Sequence, residues 1–196
     1  MASGYEQHLE WVAQRRERLQ TQLAKLYPEP IGLSLEIGCG HGHWLTDYAA
    51  AHPEKTCLGI DIIGDRIERA ERKSSRAGLE NVHFFRAEAF EALDLMPSHV
   101  HLNEVFILFP DPWPKKRHWK NRLFSLPFLE ELAKRTDRGT LCHFRTDHDP
   151  YFEWALELLP EQGAWRIDEN REWPFERETV FQSRAQSYQS LILARV

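Results

Sequence analysis

Cysteine is scarce in this chain, with three in 196 residues, and their odd number and wide spacing give no disulfide framework. Cys39, Cys57 and Cys142 sit in apolar, strand-like or glycine-rich contexts, which predicts reduced core thiols and a cytoplasmic location. Long apolar runs are missing too. No stretch approaches the ~20 apolar residues of a membrane-spanning helix, and the polar segment Met1–Arg18 has no signal-peptide core, so no membrane partner is expected. The sequence shows no internal repeat, no low-complexity tract and no Ser/His/Asp or Cys/His nucleophile arrangement. His41-x-His43 has the spacing of a metal pair, but no third ligand is suggested nearby, so no metal is expected. A positive net charge is also lacking. The formal total is −5, which would argue against nucleic acid were charge not met locally, patch by patch.

What is present describes a packed globular protein. Hydrophobic residues make up 42% of the chain and tryptophan occurs seven times, enough for one sizeable core. Leu9, Val12, Leu19, Leu23 and Leu26 recur near the helical period, predicting a helix over Tyr5–Leu26 that Tyr27-Pro28-Glu29-Pro30 ends. Residues 1–30 thus read as an N-terminal helix and linker, and 31–196 as the main domain. Within that domain short apolar runs alternate with helical patterns. Strands are expected at Leu33–Gly38, Thr56–Asp61, Val82–Arg86, Val105–Phe109 and Thr140–Phe144, and helices near Trp44–Ala51, Asp65–Ala77, Leu126–Arg135 and Tyr151–Leu159. Two more strands, around Trp165–Asp168 and Tyr188–Ala194, close the chain. Such alternation implies βαβ units: an α/β fold with a mostly parallel, seven-stranded sheet and helices on both faces. Ligands of such sheets bind beyond the carboxyl ends of the strands.

At the first of those ends stands Glu36-Ile37-Gly38-Cys39-Gly40-His41-Gly42. Glycines at alternate positions let the backbone approach a ligand between strand and helix, although the spacing is not that of a dinucleotide fingerprint. The second end supplies Asp61, where a carboxylate can accept both hydroxyls of a ribose; a tight turn followed by a capping Asp would read the same way. Glu88, after the third strand, is placed to meet an adenine amino group or to open a short helix. The fourth end reads Phe109-Pro110-Asp111-Pro112-Trp113-Pro114-Lys115-Lys116-Arg117-His118. Three prolines in six residues hold an Asp on a rigid turn. The segment Lys115–Arg122 then brings five formal positive charges, no acid and Trp119, a mixture suited to phosphates and stacked bases.

The order of glycine turn, Asp61 and Glu88 resembles the S-adenosylmethionine-dependent methyltransferases with a Rossmann-like, class I fold, over about Leu33–Val196. That resemblance implies Glu36, Gly38, Gly40, Asp61 and Glu88 around the cofactor: Glu36 beside the methionine part, Asp61 at the ribose, Glu88 near the adenine. Pro-Asp-Pro-Trp-Pro-Lys-Lys-Arg-His narrows the likeness to the bacterial tRNA (guanine-N7-)-methyltransferases. Phe144-Arg145-Thr146-Asp147 is similar to that family's Thr-Asp pair, and Thr179-Val180-Phe181-Gln182 to its Thr-x-x-Glu motif. The correspondence implies Asp111 at the cofactor and catalytic centre. It further implies Lys115, Asp147, Thr179 and Gln182 at the substrate, and Arg117, His118, Trp119, Lys120 and Arg122 on tRNA, with S-adenosylhomocysteine as by-product. Two positions depart from the pattern. Gln182 stands where the family has Glu, and an amide offers one acceptor oxygen where a carboxylate offers two; guanine selectivity would then be weaker or come from another acid, such as Asp147 or Glu178. The segment before Leu33 does not look like the family's usual N-terminal extension. Action on another RNA base or a small molecule, or RNA binding with little catalysis, are the alternatives.

Overall fold

The computed structural model describes residues 4–177 and 187–196. The strands are β1 (Ile31–Ile37), β2 (Thr56–Asp61), β3 (Val82–Arg86), β4 (Val100–Leu108), β5 (Thr136–Thr146), β6 (Trp165–Ile167) and β7 (Gln189–Arg195). The α-helices are α1 (Gly4–Leu26), α2 (His43–Ala51), α3 (Gly64–Arg76), α4 (Ala89–Leu95), α5 (Leu126–Ala133) and α6 (Asp149–Leu158). One sheet holds all seven strands in the order β3-β2-β1-β4-β5-β7-β6. Pairs among β1 to β5 are parallel, whereas β7 runs antiparallel to both β5 and β6. The expected α/β class, strand number and mainly parallel sheet are therefore observed.

Near-continuous apolar runs explain why the central strands are buried on both faces. Leu33, Leu35, Leu58, Val105, Phe106 and Ile107 are fully enclosed. Buried side chains of α1, α4, α5 and α6 share one core, and those of α2 and α3 form a second with Phe106 and Leu108, so helices cover both sides. The N-terminal helix joins the first core through Leu19 and Leu23 and is fastened to α4 by Arg15 on Glu91 at 2.7 Å. A half-buried polar knot ties β1 to β4: Ser34, Tyr48 and Lys55 all donate to Glu104, at 2.9, 2.7 and 2.9 Å. With three donors on one carboxylate, the cost of taking that charge from water is offset.

Three elements differ from expectation. The short α4 fills the gap between β3 and β4, and β4 and β5 begin earlier than their apolar runs, at Val100 and Thr136. The three cysteines are buried and unbridged. No helix among the described residues is long and apolar enough to cross a membrane.

Candidate active site at the carboxyl edge of the sheet

Three glycines follow β1, all in the left-handed region: Gly38 (φ 77°), Gly40 (φ 54°) and Gly42 (φ 65°). Their roles differ. A methyl group on Gly42 would lie 2.6 Å from Ala70 Cβ and 2.8 Å from the Phe84 ring, while one on Gly38 or Gly40 would meet nothing within 4 Å. Gly42 therefore serves packing where α2 begins, and Gly38 and Gly40 border open space that a ligand can enter.

Two carboxylates frame this loop. Asp61 is 5% exposed; it accepts from Gly40 N–H at 3.0 Å and from Ile63 N–H at 2.8 Å, with Arg66 Nη1 at 3.4 Å. It thus organises both the glycine loop and the start of α3; Oδ1, which accepts from Ile63 N–H, keeps a second lone pair for a hydroxyl, while Oδ2 already meets Gly40 N–H and Arg66. Glu36 is 4% exposed and its Oε2 has no hydrogen-bond partner among the described residues. Burial first, and the neighbouring Asp61 charge second, push its carboxyl up to about 8, against the pull of the Leu45 N–H. A buried carboxylate with an unpartnered oxygen at a loop edge calls for a cation or donor from a ligand. Ile62, 62% exposed, adds an apolar ledge beside Asp61. Glu88 is exposed and caps α4, accepting from Glu91 N–H at 3.1 Å. The structure therefore realises the helix-opening role weighed for it, at the end of β3 next to β2.

Across β1 lies the end of β4. Phe109 (φ 52°) and Trp113 (φ 44°) adopt the left-handed region without being glycine, a strained choice that persists only where its surroundings enforce it. They bracket Pro110-Asp111-Pro112 and leave Asp111 exposed to solvent. Bracing comes from β5, since Phe109 N–H donates to the Arg145 carbonyl at 2.8 Å. Lys115 follows, and a 3-10 turn over Lys116–Asn121 carries Lys116, Arg117 and Lys120, all exposed. His118 is half-buried and accepts from Arg117 Nε at 3.2 Å. Trp119 is half-buried against Trp154, ring centroids 5.5 Å apart.

Arg122 corrects the expectation of a fifth RNA-facing cation. It is 2% exposed; its guanidinium lies over the rings of Trp119, Tyr151 and Trp154 at 4.3, 4.7 and 5.5 Å. Nε donates to Pro112 O at 2.9 Å and Nη1 to Pro150 O at 3.3 Å. The side chain is used internally, stitching the Asp111 turn to the start of α6. A long planar guanidinium can reach both proline carbonyls at once, because its N–H groups fan out in one plane.

Asp147 stands exposed at the end of β5, on the same edge as Asp111. The residue before Thr146, Arg145, had no role assigned from the sequence and is the most engaged side chain of this half. It is 4% exposed and lies between the rings of Trp173 and Tyr188, at 3.9 and 4.6 Å. It donates to both oxygens of Glu176 at 2.9 and 3.1 Å and to Ser190 at 2.8 Å. Tyr188 in turn meets the Phe109 ring edge-on at 6.1 Å. An arginine within an otherwise buried run was the available signal, because such a charge requires partners. Thr179, Gln182 and Glu178 lie outside the described residues.

Residues 32–191 match a family described as "Putative methyltransferase". Curated relatives include the tRNA (guanine-N(7)-)-methyltransferase of Thermus thermophilus, 34% identical over 80% of this chain and 50% of its own length. That of Idiomarina loihiensis is 35% identical over 74% and 60%, and that of Halorhodospira halophila 39% over 64% and 54%. The chain thus spans little more than half the length of these relatives. Among solved structures, TrmN from Thermus thermophilus aligns with a TM-score of 0.59 at 16% identity, over 90% of this chain and 48% of its own. A 16S rRNA (adenine(1408)-N(1))-methyltransferase from Catenulisporales acidiphilia aligns at 0.58 and 19%, over 90% and 91%. At these identities the likeness speaks for the fold, the Rossmann-like class I arrangement.

Proposed function

The chain belongs to this methyltransferase family, and on that premise we propose that it transfers a methyl group from S-adenosylmethionine to N7 of a guanine in tRNA. The observation that carries the reading is the braced turn after β4: an exposed Asp111 between two strained residues, followed by exposed Lys115, Lys116, Arg117 and Lys120. It stands one strand from the glycine loop, since β4 neighbours β1.

The residues of the other half suit the cofactor. The unpartnered Glu36 oxygen fits an α-ammonium group, the space over Gly38 and Gly40 fits close backbone approach, and Asp61 with Ile62 fits a ribose and its base. S-adenosylmethionine, when bound, supplies an electrophilic methyl group on a sulfonium. The chain's own residues then have little proton chemistry to do. Guanine N7 is an acceptor with an in-plane lone pair, so no general base is needed to uncover the nucleophile. Asp111 orients the base and favours the positive charge that the guanine acquires. Lys115 and Asp147 hold the substrate edge, assisted in this reading by Thr179 and Gln182. Arg117 and Lys120 meet phosphate, with His118 and Trp119 beside them. A tRNA substrate places the activity in the cytoplasm.

The test is nucleoside analysis by mass spectrometry after incubating tRNA with the protein and cofactor. N7-methylguanosine is the expected product; a different methylated nucleoside, or none, overturns the assignment. The RNA surface has its own check. Neutralising three of Lys115, Lys116, Arg117 and Lys120 should make the log–log salt dependence of tRNA binding shallower by roughly two to three units. Unaltered salt dependence would move the RNA surface elsewhere.

A further inference from the structure

The helix α3, which follows β2 and Asp61, carries Arg66, Arg69, Arg72, Lys73 and Arg76. At 100° per residue these five fall within an arc of roughly 120°. Asp65 shares the arc at the first turn, whereas Glu68 and Glu71 lie outside it. Ile67, Ala70 and Ser74 are buried and fix the helix rotation, so the basic arc is turned from the core. Arg69, Arg72 and Arg76 are exposed. With Lys73 they line a shallow hollow of about 220 Å³.

Like charges three and four residues apart weaken a helix, and here they stack along three turns with little relief. Of the exposed three, Arg72 has an ion pair, with Glu68 at 3.7 Å. The positive field reaches the glycine loop. Lys73 Nζ donates to the His41 carbonyl at 2.8 Å. Burial first, then the charges of Arg69, Arg66 and Lys73, hold the His41 imidazole below its ordinary value. A hollow walled by four cations suits an anionic oxygen cluster.

Its position says which anion. Sheet order puts β2 on one side of β1 and β4 on the other. The start of the helix after β2 and the basic turn after β4 therefore flank the glycine loop, their strands about 10 Å apart by two strand spacings; α3 then runs back toward the amino edge between the parallel β2 and β3, with Arg69 nearer the loop and Arg76 about 10 Å further along the axis. An extended polyanion that presents a base to the site between them will pass over both.

We propose that the α3 face formed by Arg69, Arg72, Lys73 and Arg76 is a second phosphate-binding surface for the substrate tRNA, gripping its backbone across the cofactor cleft from Lys115–Lys120. The proposal rests on tRNA being the substrate. It divides the grip in two, so that neither basic surface alone accounts for the salt dependence of binding.

The experiment compares the parent chain with the triple variant Arg69→Gln/Arg72→Gln/Arg76→Gln and with a control, Arg18→Gln/Lys134→Gln/Arg138→Gln, which removes equal charge from other exposed positions. Binding of unfractionated tRNA is titrated across salt concentrations, and S-adenosylhomocysteine binding reports on folding. The α3 variant should flatten the log–log slope by about two units and raise the KM for tRNA, while the control changes neither. Glu68→Gln, which takes an acid from beside Arg72, should tighten tRNA binding, a gain that no folding defect imitates. The proposal is overturned if the α3 variant keeps the parent slope, if the control loses as much, or if Glu68→Gln gives no gain. A parent that binds tRNA without methylating it would sink the function proposed above and leave this surface standing.

Discussion

At the ends of β1 and β2 the carboxylates are enclosed and fastened to backbone N–H groups, as Asp61 is to Gly40 and Ile63. At the ends of β4 and β5, Asp111 and Asp147 stand in solvent, and it is the backbone beneath them that is fastened, by Arg122 and Arg145. On the function proposed above, the contrast follows from what each half would hold. A small cofactor can be surrounded, so its polar partners can be buried and aimed beforehand. A nucleic acid cannot be surrounded, so acids meant for one of its bases must stay open, and precision has to come from stiff turns. Burial organises one half and bracing the other.

If that division holds, changes on one side should leave the other intact. The largest effect is expected at Asp111→Asn, which keeps size but removes a charge aimed at the cationic product. Methyl transfer should fall on the order of 100-fold with S-adenosylhomocysteine affinity unchanged by calorimetry. A parallel loss of affinity would mean the halves are one unit. Next come two glycines of the same loop. Gly42→Ala forces a methyl group against Ala70 and Phe84 and should destabilise the fold by about 1–3 kcal/mol, read by thermal melting. Gly40→Ala meets open space and carries chiefly the left-handed backbone penalty, about 1–2 kcal/mol, so its damage should show more in cofactor titration. Equal melting losses would break the distinction.

Asp61→Ala should weaken S-adenosylhomocysteine by ~10-fold or more, since hydrogen bonds to charged groups contribute about 1.5–3 kcal/mol each. Methylation at saturating cofactor should suffer far less. The smallest effect is on pH. The folded Glu36 carboxyl keeps its proton to about 8, against an ordinary value of 4.5, so the native state holds an extra proton between those values. Stability therefore falls as pH rises through that window, whereas affinity for a ligand ammonium rises as the carboxylate forms. Calorimetry in buffers of different ionisation heat should show proton release on binding near pH 7, absent in Glu36→Gln.

The two halves were also unequally legible in the sequence. Glycine spacing, Glu36 and Asp61 sit directly after apolar strands, and such local patterns can be read without knowing the sheet. The proline turn was equally plain as a turn. What it hides is direction: Arg122 looks like its basic neighbours in sequence, and only the approach of Trp119, Tyr151 and Trp154 turns it inward. Arg145 depends on partners 31 and 45 residues away, a separation no local pattern encodes. Seven residues of α4 are too few for helical periodicity to emerge. The start of β4 alternates buried Val100 and Leu102 with exposed His101 and Asn103, a strand signal shorter than the apolar run that follows it, whereas Thr136–Gly139 at the start of β5 carries no apolar side chain and gains its strand form from neighbours already in place.

The order β5-β7-β6 has a bearing on how the molecule comes to work at all. Strand β7 inserts between two earlier strands, pairing Thr146 with Gln189 and Ile167 with Leu193, so this edge of the sheet closes late and across long stretches of chain. Tyr188 and Ser190, which flank the Arg145 side chain and through it the turn bearing Asp111, arrive with that strand. The glycine loop and Asp61 draw on α3, β3 and β4, as far as Leu108, but the Asp111 turn acquires its full brace only when β7 docks. On the function proposed above, the strand made last stiffens the turn used in methyl transfer, whereas β1 and β2, which carry the cofactor loop, pair with β3 and β4 and not with β7.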